Sequence, residues 1–217
     1  MLGDINVILW DFDGTFYKLN DLLWREIREA EYRVIMNHTG WSRERSVQEF
    51  LKLYNVVTPS GTEVASRLCH IPIVQATLET EPYYDRAKYL TRDEKLIQMF
   101  EDLRGFRHMM LVNGKRERLT EAIKKLGVDP ALFEKWFTPE DTGVVKPNRI
   151  HYETVLSVTN LPPQKHVVIG DRERVDLVPA HALGMKTCLV WSKTKGEIAD
   201  FTVPTVYDVV SLFTKLS

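Results

Sequence analysis

ILWDFDGTFY, residues 8–17, runs an apolar segment into Asp11 and then sets a second carboxylate, Asp13, just before a glycine. An apolar run of this kind reads as a strand buried on both faces, so Asp11 stands where that strand should surface. Two like charges this close repel each other, and burial raises the cost of keeping either ionised. A bound cation is the natural compensation.

Working outward from this stretch, the chain changes character twice. After Tyr17, Leu23, Ile27, Ala30 and Val34 recur at helical spacing, with Gly40 as a stop. Val47, Phe50, Leu51 and Tyr54 predict a second apolar stripe, and Ser60 with Glu63 a capping box for a third helix. Residues 20–88 therefore read as a helical insertion, with PYYDRAKYL (82–90) as the return crossing. From Thr91 helix and strand alternate. Thr91 and Glu94 suggest another capping box, and Gly105 ends that helix before the strand RHMMLV (107–112). A helix on Leu119, Ile123 and Leu126 stops at Gly127. A short strand around KWFT (135–138), a helix after Pro147 and the strand HVVIG (166–170) follow. A helix through Leu177 and Ala180 stops at Gly184 and leads into KTCLVW (186–191). Alternation of this kind predicts an α/β fold: a Rossmann-like parallel sheet with helices on both faces, in residues 1–19 and 89–217.

The 217 residues suffice to bury a real core, and 44% hydrophobic with 27% charged residues is ordinary globular composition. Lys and Arg (29) nearly balance Asp and Glu (30), so no strong field favours nucleic acid or an anionic membrane. No apolar run approaches the roughly 20 residues of a membrane span, and the first residues show no basic leader. Cys69 and Cys188 lie far apart, outside metal-type spacing, as buried thiols of a reducing compartment would. A cytoplasmic protein, monomer or homodimer, is the expectation.

In open α/β sheets ligands bind beyond the carboxyl ends of the strands. ILWD ends in Asp11, RHMMLV runs into Asn113 and Gly114, the connection after KWFT reaches Lys146, and HVVIG leads into Asp171. Four segments thus deliver polar groups to one sheet edge. A calcium-loop reading of D-x-D-G fails, because that loop needs its glycine at position 6 and follows a helix. Asp-Gly is also common turn chemistry, and a lone lysine is usually solvated; the joint placement argues against both.

DFDGT (11–15), VNG (112–114), KP (146–147) and GDRERVD (170–176) resemble, in order and spacing, the four motifs of the haloacid dehalogenase superfamily of phosphohydrolases. The resemblance spans the chain, with residues 20–88 in the place of the helical cap. Residues 89–105 look most like the nucleotidase-like and phosphoglycolate phosphatase-like groups. It implies Mg²⁺-dependent hydrolysis of a small phosphorylated metabolite. Asp11 would be the nucleophile, Asp13 the acid and base, and Lys146 the bridge between Asp11 and the phosphoryl oxygens. Asp11, Asp171 and the backbone carbonyl of Asp13 would hold the metal, with Asp176 orienting its water ligands. Asn113 and Gly114 would meet the phosphate through backbone N–H groups, and Phe16 and Tyr17, directly after the nucleophile loop, the leaving group. Asp13 favours phosphate esters, since a departing halide needs no proton. Val112 departs from the pattern: the family's Ser or Thr hydroxyl is missing there. A phosphotransferase or mutase, or a non-catalytic phosphate-ligand binding module, stay open as alternatives on the same fold.

Overall fold

The structure is a computed structural model describing residues 4–54, 56 and 60–213; the first three residues, including part of the stretch read for a leader, lie outside it. Six strands, β1 (Val7–Trp10), β2 (Arg107–Leu111), β3 (Phe133–Phe137), β4 (His166–Gly170), β5 (Lys186–Leu189) and β6 (Phe201–Thr202), form one parallel sheet in the order β3-β2-β1-β4-β5-β6. The order reverses between β1 and β4. Ligand crevices open at such a switch point.

Strand β1 shows why the apolar run folds this way. Ile8 and Trp10 point into one core with Phe100, Leu119 and Ile123, while Val7 and Leu9 point into the other with Tyr152, Val155 and Ala180. Successive side chains alternate faces in a strand, so only a sheet covered on both sides can bury all four.

The helices are α1 (Asp21–Thr39), α2 (Arg43–Tyr54), α3 (Gly61–Cys69), α4 (Ile73–Thr80), α5 (Glu94–Asp102), α6 (Arg116–Lys125), the short α7 (Pro139–Thr142), α8 (Arg149–Thr159) and the short α9 (Val178–Ala182). α1 to α4 lie between β1 and β2 in the chain, and α1, α2 and α3 enclose a separate apolar cluster of Tyr32, Ile35, Phe50, Val64 and Ala65. Asn20 caps α1 by accepting from Leu23 N at 2.8 Å, and Gly40 closes it in the left-handed conformation.

Several local expectations are corrected. The cap of α5 is Asp93, which accepts from Lys95 N and Leu96 N, so Thr91 and Glu94 form no capping box: a side-chain oxygen immediately before the first turn is closer than one two residues earlier. Ser60 caps α3 by accepting from Glu63 N, but the reciprocal half of the box is missing. Leu51 is 49% exposed, because α2 turns Phe50 rather than its neighbour toward α1 and α3. α5 ends at Asp102, before Gly105. β3 begins two residues earlier than the KWFT stretch, and the return crossing consists of two 3₁₀ turns, Glu81–Tyr83 and Arg86–Tyr89.

Candidate active site

Asp11 follows β1, its backbone N–H bonded to Ile169 of β4 at 3.0 Å, and Asp171 follows β4. The carboxylates flank the switch point. Gly14 makes their approach feasible: it sits at φ +87°, and any side chain there would overlap the Asp171 carboxylate. Trp191 Nε1–H holds the same turn by donating to Thr15 O at 2.9 Å.

Lys146 Nζ lies 2.7 Å from Asp11 Oδ1 and 2.7 Å from Asp176 Oδ1, and all three groups are buried. Burial opposes the ammonium charge, but Asp11 and Asp176 outweigh it and raise the pKa of Lys146 above its ordinary value. Thr15 Oγ1 donates to the other Asp11 oxygen at 2.7 Å, and Asp176 Oδ2 accepts from Arg172 N at 3.1 Å. Asn113 clamps the lysine's own backbone. Its Oδ1 accepts from Lys146 N at 2.7 Å and its Nδ2 donates to Lys146 O at 3.0 Å, so its amide orientation is fixed by the lysine loop.

Oxygens of Asp11, Asp171 and Asp176 lie within 4.8 Å of one another, a group able to hold a metal ion. Asp171 Oδ1 is buried without a hydrogen-bond partner. Burial, then repulsion from Asp11 and Asp176, push the Asp171 carboxyl well above the usual carboxylate range. An orphaned carboxylate oxygen beside two further carboxylates is a donor set that suits a hard divalent cation. The residues present therefore fit Mg²⁺. The Asp13 carboxylate stands outside this group.

Asp13 points elsewhere. Arg86 Nε lies 3.0 Å from its Oδ1, and the Tyr17 hydroxyl donates to the same oxygen. Burial raises the Asp13 pKa, with Arg86 and Tyr17 pulling it back and Glu81 and Asp11 adding to the rise. Arg86 is itself buried and donates to both oxygens of Glu81, at 3.2 and 2.9 Å, and to the Tyr84 hydroxyl at 2.7 Å. Glu81 Oε1 in turn accepts from Lys115 N at 3.2 Å. Gly114 leaves room for this, since a Cβ there would stand 2.8 Å from Glu81 Oε1.

These groups surround a cavity of about 150 Å³ between the sheet edge and helices α1, α3 and α4. Asp11, Asp13 and Asp171 line one side, with Asn113 and Gly114; Trp24, Ile27 and Glu31 line the opposite one. Glu31 pairs with Arg28 at 2.8 Å, and burial lifts its carboxyl to about 7 against the pull of Arg28 and Arg172.

Phe16 is corrected as a substrate contact. Its ring is fully buried, edge-on to Trp10, Phe12 and Phe100 and stacked on Phe133, because an aromatic at this position completes the core beneath the loop. Tyr17 does not line the cavity; it holds Asp13. Val112 touches the cavity yet packs in the core, with no hydroxyl to offer.

Sequence reasoning overlooked Arg86, Glu81, Glu31 and Arg172. The first had one signal: DRAK interrupts a tyrosine-rich return crossing, and an arginine buried there needs carboxylates.

A haloacid dehalogenase-like hydrolase family model matches residues 5–184. The chain belongs to this family. It is 23% identical over 201 residues to the pyrophosphatase PpaX of Bacillus pumilus, covering 91% of this chain and 88% of that one. It is 25% identical over 198 residues to a glyceraldehyde 3-phosphate phosphatase of Pyrococcus abyssi, covering 87% and 82%. The fold matches the crystal structure of a HAD phosphatase from Thermococcus onnurineus with a TM-score of 0.67 at 19% identity, over 96% and 98% of the two chains.

Proposed function

We propose that the protein is a phosphatase that hydrolyses a small phosphomonoester through an aspartyl-phosphate on Asp11. The observation that carries this is the placement of two aspartates two residues apart with separate cations, Lys146 on Asp11 and Arg86 on Asp13, at one small cavity. An Asp11 oxygen attacks phosphorus, the bond to the leaving oxygen breaks, and Asp13 gives that oxygen its proton. Asp13 then takes a proton from water, which attacks the phosphorus and frees Asp11. Its raised pKa suits a group that must hold a proton before giving it. Lys146 neutralises the nucleophile's charge against the incoming dianion.

Asp11 and Asp171, with the Asp13 carbonyl, would hold Mg²⁺, and Asp176 would fix Lys146 and the metal's surroundings. Bound there, Mg²⁺ would offset phosphoryl charge as a Lewis acid. Residues 20–88 act as the cap, and residues 1–19 and 89–217 as the core. A cavity of about 150 Å³ is below the roughly 300–1,000 Å³ typical of drug-sized ligands, which favours a leaving group no bigger than a triose or a second phosphate over a nucleoside. The relatives named for pyrophosphate and glyceraldehyde 3-phosphate support the same size class. Among the described residues no helix is long and apolar enough to cross a membrane.

Phosphate release from acetyl phosphate, glyceraldehyde 3-phosphate and pyrophosphate, with Mg²⁺ and with EDTA, tests this. Mg²⁺-dependent release is expected. Binding of phosphate without release would favour the non-catalytic module, and phosphate transfer to added alcohols without release a transferase.

A further inference from the structure

A phosphoryl dianion needs several donors, and the side-chain donors near Asp11 are partly engaged already. Lys146 Nζ serves two carboxylates at 2.7 Å each, and the Asn113 amide is bonded at both ends to the Lys146 backbone. Position 112, where the family resemblance would put a hydroxyl, carries a valine. Arg86 is different. Its Nη1 and Nη2 are held by Glu81 and Tyr84, but its Nε–H, 3.0 Å from Asp13 Oδ1, is not directed at that oxygen and has no acceptor. A buried charged donor without a partner is costly and waits for one. Arg86 also lines the cavity that holds Asp11.

We propose that Arg86 is a phosphoryl-binding catalytic residue that takes the role of the hydroxyl missing at Val112, its Nε–H donating to a phosphoryl oxygen and its charge leaving the ion pair with Asp13 Oδ1. The exchange has a second consequence. Asp13 is half-exposed and held by Arg86 and Tyr17; a phosphoryl group that claims the guanidinium frees the Asp13 carboxyl to turn toward the leaving oxygen. Glu81 keeps the guanidinium in place throughout, since it stays bonded to two nitrogens of Arg86 and to Lys115 N. Substrate binding and placement of the acid are thereby one event, run by a residue on the segment that returns from the helices to the sheet.

The proposal rests on the phosphatase reading above, and the test keeps the two apart. Inorganic phosphate is titrated as a competitive inhibitor of acetyl phosphate hydrolysis in Mg²⁺, for the parent, Arg86→Met, Arg86→Lys and Arg86→Met with Val112→Thr, each verified as folded by circular dichroism. The inhibition constant should rise at least about tenfold in Arg86→Met and less in Arg86→Lys, as expected for a lost hydrogen bond to a charged group. Adding Val112→Thr to Arg86→Met should recover at least about threefold by restoring a donor. An unchanged constant in folded Arg86→Met, or weakened binding that Val112→Thr does not recover, would make Arg86 a strut between Asp13 and Glu81 and overturn the proposal. If Arg86→Met does not fold, Arg86→Lys decides alone, an unchanged constant overturning it. A parent that neither hydrolyses acetyl phosphate nor binds phosphate would instead remove the underlying reading.

Discussion

Two buried cations each sit between two carboxylates, and the two arrangements differ in where their parts come from. Lys146 joins Asp11 to Asp176, all beyond the carboxyl ends of sheet strands, with Asp176 on the helical turn Glu173–Leu177. Arg86 joins Asp13 to Glu81, and both Arg86 and Glu81 lie on the segment between α4 and α5. Neighbouring aspartates that would otherwise repel are thus given separate counterions, one fixed by the core and one belonging to the helical insertion. The difference assigns them different freedoms. Asp11 is locked by Lys146 and Thr15 at 2.7 Å each, as the proposed attacking group must be. Asp13, 30% exposed at its side chain, is held by a poorly aligned contact that a ligand can replace.

The comparison breaks most readily at its cations. Lys146→Met leaves Asp11 and Asp176 buried without their partner, so unfolding in urea with EDTA present should show a loss of about 3–5 kcal/mol at pH 7.5. Arg86→Met should cost less, because Asp13 is partly solvated and retains Tyr17, and Glu81 retains Lys115 N. Equal losses would mean that the two cations are held alike.

What could be read from the sequence divides along the same line. Asp11, Lys146 and Asp171 follow strand ends or the loops between them, where a continuous apolar run announces the strand and the next polar residue must surface at the sheet edge. Arg86 and Glu81 sit in 3₁₀ turns with no periodicity, so nothing local marks them as buried. Phe16 misleads for the opposite reason: an aromatic beside a nucleophile looks like a binding residue, yet the loop doubles back and delivers the ring to the core. Helix α4 is not legible within the insertion because its eight residues, with Thr77 and Thr80 turned inward, carry little apolar pattern. Asp93 is masked as a cap because Thr91 and Glu94 match the capping-box spacing.

A smaller effect sharpens the comparison from the cavity's far wall. Glu31 has its own cation, Arg28, at 2.8 Å, but burial dominates and its pKa is lifted from 4.5 to about 7 despite Arg28 and Arg172. The folded protein therefore holds this proton more tightly than the unfolded chain. Its contribution to stability is complete below about pH 4.5 and is lost as pH rises through about 7, a total of about 3 kcal/mol. Unfolding free energies from pH 4.5 to 8 should fall less in Glu31→Gln than in the parent. Parallel curves would show that Arg28 does for Glu31 what Lys146 does for Asp11.

Central to the account is Asp11 as the group that carries the phosphoryl. Rapid quenching of the Mg²⁺-loaded protein during acetyl phosphate turnover, then borohydride reduction and peptide mapping, reads this directly, because reduction of an aspartyl-phosphate leaves a permanent mass change on the residue. The change is predicted at Asp11, with Asp11→Asn unlabelled and its kcat lower by about 10⁴ or more. Turnover with Asp11 unmodified throughout, or the mark on Asp13 or Asp171 instead, would contradict it.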